Sequence, residues 1–118
     1  LGNATIFAIF LLAEFQATEA TATIWRFLKL PYDIPDELLG DSITEDLPRI
    51  IAIFAGSRLD MLDELILDPT HNQWVRSAAI GACTYLVRDE LLSRQNAVSW
   101  LKSHLAEAIQ YRRVLATT

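Results

Sequence analysis

One cysteine, one methionine and two histidines are spread through 118 residues, and no apolar run is long enough to span a bilayer. With Cys83 alone, no internal disulfide forms and no cysteine-based zinc site can be built, which excludes a disulfide-stapled secreted scaffold. A reducing cytoplasm is the compartment that this cysteine usage predicts. The most apolar stretch, 6–13, is too short to cross a membrane and lacks the basic flank and cleavage site of a signal peptide, so no membrane association is expected. Basic charge is scarce as well: 10 Lys and Arg face 15 Asp and Glu, for a formal charge of -5. With a sequence pI near 4.8 and scattered basic residues, the chain would repel a phosphate backbone, and no nucleic acid partner is expected. A glycine-rich phosphate loop and a Gly-x-Ser-x-Gly elbow are both missing.

Glycine and proline number four each, while 52% of residues are apolar and 15 are alanine. Few helix breakers predict long helices joined by brief turns, and alanine loses no rotamer entropy in a helix and lets helix axes approach. The apolar content is enough for one domain with a real core. No segment sustains apolar alternation, so the expected fold is all-α. Apolar residues occupy nearly every face of a first helix over 4–15, the pattern of a helix covered on several sides. Gln16 and Ala17 make a tight turn, and Thr18 caps a second helix ending near residue 30, in which Ala20, Ile24, Phe27 and Leu28 recur at helical spacing. Asp46 caps a helix over 47–55, with Pro48 in the tolerated first turn and Gly56 at its end. The rival start, the capping-box spacing of Ser42 and Glu45, would put Pro48 inside the helix. Ser57 caps the next helix, whose apolar face is Leu59, Leu62, Leu65 and Ile66. Asn72 opens a helix to about residue 88 with Val75, Ala79, Ala82 and Leu86 on one stripe and Ala78 and Cys83 beside it. Ser93 caps the last, in which Ala97, Val98, Leu101, Leu105, Ala108 and Ile109 face inward. Three consecutive helical pairs result, opening near residues 4, 47 and 72.

Asp68 and Pro69, followed after a polar spacer by Val75, Arg76, Ser77, Ala78 and Ala79, resemble the signature of HEAT-type helical repeats. That resemblance implies a turn shaped by Asp68 and Pro69, with Val75 and the alanines in the core and Arg76 reaching back to Asp68. It implies a HEAT-like α-α superhelix of about three stacked antiparallel helical pairs, one domain over 1–118. Together with Phe10-Leu11-Leu12-Ala13-Glu14-Phe15 and the more specific Leu39-Gly40-Asp41-Ser42-Ile43-Thr44-Glu45-Asp46-Leu47-Pro48-Arg49-Ile50, the motif resembles bacterial domain-of-unknown-function family 1186 over most of the chain. This second resemblance implies an intracellular protein and brings no established activity. Members that carry a cysteine-rich metal-binding motif have it at the far C-terminus; this chain has no such motif, so no metal ligand is carried over. The chain begins at Leu1 rather than methionine and reads as a fragment of a longer protein, whose absent repeats would leave its end helices exposed for self-association.

Segment 31–46 breaks the helical rhythm. It holds Asp33, Asp36, Glu37, Asp41, Glu45 and Asp46 without a basic residue, around a short helical turn from Pro35 to Gly40. Its acids are either solvated connector residues that cap helix N-termini or a lip that binds a basic partner or a cation, and their spacing does not fit an EF-hand. His71 and His104, far apart and without a paired cysteine, read as surface or capping residues; no metal and no cofactor is expected. Ser99 and Lys102 have a Ser-x-x-Lys spacing without its companion motifs. Trp25, Trp74 and Trp100 suit packing between helices or, alternatively, a ligand pocket, and Cys83 suits a buried, inert thiol. No catalytic residue stands out. Stacked helical pairs create a concave surface suited to an unknown protein or peptide, with no catalysis required. The alternative is an enzyme or cofactor-handling protein, by analogy to HEAT-like lyases, with polar groups gathered on the groove side.

Overall fold

The computed structural model describes residues 2–41 and 45–117, which form seven α-helices and one 3-10 turn. They are α1 (Gly2–Glu14), the 3-10 turn Thr18–Ala20, α2 (Thr21–Leu28), α3 (Ile34–Leu39), α4 (Leu47–Ala55), α5 (Leu59–Ile66), α6 (Gln73–Arg88) and α7 (Arg94–Thr117). The only β-type pairing among the described residues is an isolated antiparallel bridge between Pro31 and His71. Residues 42–44, and with them the Ser42 capping alternative, lie outside the described residues.

Local chemistry sets most boundaries. Gly40 and Gly56 stop α3 and α4 at φ +57° and +58°, a conformation that costs glycine little because it has no Cβ. Pro48 sits in the first turn of α4, where its missing N–H has no intrahelical partner to lose. Asn72 and Ser93 cap as their positions predict, Asn72 Oδ1 accepting from the N–H groups of Trp74 and Val75, and Ser93 Oγ from that of Asn96. Three expected caps are not side-chain caps. Thr18 offers its carbonyl instead, to the Thr21 hydroxyl at 2.7 Å, and the α-helix begins two residues late, at Thr21 with Ala20 as its N-cap. Asp46 serves α4 only through its carbonyl, which accepts from Ile50, and α5 starts from Arg58 rather than Ser57, with the Arg58 guanidinium on Asp60 at 2.6 Å.

α4 packs most extensively on α6, α5 also lies on α6, and α1 rests on α3 and α4. The six residues assigned inward on α6, Val75, Ala78, Ala79, Ala82, Cys83 and Leu86, are all buried. On the other side of these helices, α2 is tied to α5 by Trp25 Nε1 donating to the Met61 carbonyl at 2.9 Å and by Lys29 on Glu64 at 2.7 Å. α5 is tied in turn to α7 through Asp63. The expected hairpin of the first two helices is therefore loose: α1 finds its close neighbours in α3 and α4, because Trp25 draws α2 toward α5. Only one side of α1 is covered, with Ile9 and Ala13 buried while Phe7, Leu11 and Phe15, four residues apart, face solvent.

The inward face expected for α7 is off by about a quarter of a turn. Ala97 and Trp100 are buried, but Val98, Leu101, Leu105 and Ile109 are exposed, Leu105 to 62%. At 24 residues α7 is about 36 Å long, and its C-terminal half extends beside the body instead of being enclosed by it. One glycine has no conformational role: Gly81 lies mid-α6, where an added Cβ would meet Pro48 Cβ of α4 at 3.5 Å, an ordinary contact. Gly81→Ala should therefore raise stability by about 0.5 to 1 kcal/mol through helix propensity, measured by urea unfolding; a loss would mean that α4 and α6 pack too closely to admit a methyl group.

Candidate functional site

A groove of about 680 Å³ lies between the α5–α6 turn, α6 and α7. Ile66, Leu67 and Pro69 close one end; Gln73, Arg76, Ser77 and Ile80 form the α6 wall; His104, Glu107, Ala108, Tyr111, Arg112 and Leu115 form the α7 wall. Each wall follows from helical spacing, since residues three and four apart share a face. The groove lining is mostly apolar, with two arginines against one carboxylate.

Its α7 wall is held by one aspartate. Asp63 Oδ1 accepts from Trp100 Nε1 at 2.9 Å and from His104 Nε2 at 2.8 Å, and the two rings meet edge to face with centroids 4.6 Å apart. A carboxylate only accepts, so Nε2 is the protonated nitrogen of His104. This trio fixes the pose of α7 against α5. His71 is likewise structural: its Nδ1 lies 3.2 Å from the Leu65 carbonyl and its Nε2 3.5 Å from Asp68.

The Asp68–Pro69 turn is braced, though not by the expected ion pair. Arg76 Nε donates to the Ile66 carbonyl at 2.9 Å, satisfying an acceptor at the end of α5 that has no intrahelical partner. Asp68 turns to Thr70 instead, accepting from its hydroxyl at 2.7 Å and its N–H at 2.9 Å. Those two bonds, the hydroxyl first, hold the Asp68 carboxyl below its ordinary range, with smaller help from His71 and Arg76. Val75 is fully buried and Pro69 is exposed at the groove's end.

The acidic residues do not converge on one point. Asp33, Glu37, Asp41 and Glu45 are exposed, and Asp46 is half-buried at the start of α4. Asp36 is committed: its Oδ1 accepts from Asn72 Nδ2 at 2.8 Å, while the same Nδ2 donates to the Tyr32 carbonyl at 2.6 Å. Asn72 is buried and thus ties the acidic segment to the start of α6. Among the described residues no group of three or more His, Cys, Asp or Glu side chains could hold a metal ion. Trp25 and Trp100 are core residues; Trp74 is exposed. Cys83 is buried, and burial pushes its thiol pKa up. Sequence reasoning missed Asp63 and, apart from Ala108, the residues of the α7 wall. The available signal was the spacing of Trp100, His104, Ala108, Tyr111 and Leu115 along one helical face.

These features define an all-helical domain with a groove between helices and no helix, among the described residues, long and apolar enough to cross a membrane. The chain belongs to the family described as Protein of unknown function (DUF1186), which it matches over residues 3–118. It is 36% identical over 107 residues to an uncharacterized protein of Chlamydia trachomatis serovar D (strain ATCC VR-885 / DSM 19411 / UW-3/Cx), and the match covers 91% of this chain and 41% of the relative. An uncharacterized protein of Chlamydia muridarum (strain MoPn / Nigg) matches with the same identity and coverage. The chain thus spans about two fifths of the length of these curated relatives, 41% in each case. No solved structure matches it.

Arg76→Ala should cost roughly 1 to 3 kcal/mol by orphaning the Ile66 carbonyl, whereas Arg112→Ala should stay within about 0.5 kcal/mol; paired thermal melts compare them, and equal losses would contradict the bracing role. Asn72→Ala removes a cap and both donors to the acidic segment, and denaturant unfolding should register a loss of roughly 2 to 4 kcal/mol. Because its pKa is depressed on folding, Asp68 contributes stability above its unfolded value and loses it as pH falls through the folded one. Carboxyl-carbon NMR should find Asp68 titrating below ordinary aspartates, and Thr70→Val should move that midpoint upward.

Proposed function

We propose that this domain is a non-catalytic, HEAT-like helical-repeat module that binds a protein or peptide segment in the α6–α7 groove. The observation that carries this reading is the groove itself: about 680 Å³, lined mostly by apolar residues with a few polar and charged ones among them, and walled by two helices. Successive contacts of α1 with α4 and α4 with α6 on one side, and of α2 with α5 and α5 with α7 on the other, support the stacked-repeat description. The acidic segment is the second candidate surface, for a basic partner. It has exposed carboxylates at Asp33, Glu37, Asp41 and Glu45, but Asp36 is committed to Asn72, and the groove has the apolar lining. The family match supports a bacterial origin, and the lone buried cysteine supports a reducing cytoplasm as the working compartment.

An enzyme is the alternative, and one observation favours it: His104, oriented by Asp63, lines the groove together with Ser77. The test of the binding reading is peptide selection from a random displayed library. Selected peptides should lose binding to Leu115→Asp, a substitution at an exposed groove residue that leaves the fold intact, and equal binding to both proteins would refute the groove.

A further inference from the structure

We infer that the occupant of the α6–α7 groove is an acidic amphipathic helix, which lays its apolar ridge on the apolar lining and sets carboxylates against Arg76 and Arg112. The inference rests on the groove being the binding site. Charge complementarity selects the occupant. In a chain of formal charge -5, the groove lining carries Arg76 and Arg112 against Glu107, with Asp68, beside Pro69, near enough to Arg76 to feel its charge. α7 as a whole bears Arg94, Lys102, Arg112 and Arg113 with Glu107 as its single acid. Arg76 spends only one of its five N–H donors on the Ile66 carbonyl, so its fork is held in place with donors remaining. The positive charge of the lining is thus built on two helices of an otherwise acidic protein, where it would repel a basic segment and attract an acidic one.

Backbone chemistry then selects a helix over a strand. An extended peptide gains affinity by adding main-chain hydrogen bonds to a sheet edge, and both walls here are α-helices whose backbone groups bond internally. A helix needs no such edge. It needs a trough between ridges at three- and four-residue spacing, which Gln73, Ser77 and Ile80 on α6 and Ala108, Tyr111 and Leu115 on α7 supply.

The test uses a fluorescein-labelled peptide of about four helical turns, with leucine at i, i+3, i+4 and i+7 and glutamate elsewhere, and a second peptide with lysine in place of glutamate. Fluorescence anisotropy should give saturable binding of the glutamate peptide that weakens with added salt, and at least about tenfold weaker binding of the lysine peptide. Arg112→Glu should weaken the glutamate peptide roughly three- to tenfold, with an unchanged circular dichroism melt. Equal affinity for the two peptides, or an Arg112→Glu protein that binds as the wild type does, would overturn the acidic assignment. If Leu115→Asp weakens both peptides equally while Arg112→Glu has no effect, the groove reading survives and the charge assignment fails. If neither substitution matters, the groove reading fails with it. A concentration-dependent dimer in light scattering, lost in Leu115→Asp, would assign the groove to a second copy of the chain and overturn the peptide assignment.

Discussion

A single amide side chain links the three parts of this fold that sequence periodicity does not connect. Asn72 has two N–H donors and a carbonyl oxygen with two lone pairs, and the structure engages all of them. The oxygen receives the N–H groups of Trp74 and Val75 in the first turn of α6, and the amino group reaches the Tyr32 carbonyl and the Asp36 carboxylate. The start of α6, the loop after α2 and the first turn of α3 are thereby fixed to one atom group that water does not reach. Since a buried amide with unmade bonds is costly, the acidic segment and the α6 N-terminus should form or open together.

Behind that latch, close packing depends on small residues. Ala78, Ala79 and Ala82 are buried on α6, which packs on α4 more extensively than on any other helix, and at Gly81 there is room for one methyl group against Pro48. Packing this close favours dispersion contacts, which fall off steeply with any gap. The opposite face of the molecule is held differently, by long polar side chains: Trp25 on Met61, Lys29 on Glu64, Trp100 and His104 on Asp63. α5 combines the two, with Leu62, Leu65 and Ile66 buried in the core and its polar groups bonded to α2 and α7.

How much of this the sequence disclosed depends on which force decides each element. The bounds of α4, the six buried positions of α6 and the Asn72 cap were legible because helix-stop glycines, first-turn proline and apolar spacing are local properties. The face of α7 was not. Ranking by hydrophobicity selected Val98, Leu101, Leu105 and Ile109, whereas the buried face is built on Trp100 and His104, whose polar atoms are satisfied by an aspartate 37 and 41 residues away. The acceptor itself leaves no mark in local periodicity, although the spacing of Trp100, His104, Ala108, Tyr111 and Leu115 along one face was there to be read. Arg76 was read as bracing the right turn with the wrong acceptor, for a related reason: Asp68 has a nearer donor in Thr70, and a helix-end carbonyl is invisible in a residue pattern. The groove was missed with the α7 face, since one wall of it is that helix.

Anchored through its N-terminal half, at Ala97, Trp100 and His104, α7 is a lever. From His104 to Thr117 the helix extends about 20 Å, so a swing of about 10° about the Asp63 anchor would carry its tip through about 3 Å. That distance is most of an aromatic ring's width, and it is the α7 wall that would travel while the α6 wall stays fixed in the core. The width of the groove is therefore an angle in disguise, set at Trp100 and His104 and magnified at Tyr111 and Leu115. Grip on an occupant would be strongest near the fulcrum and most adaptable toward the tip, so partners of different girth could share one root contact.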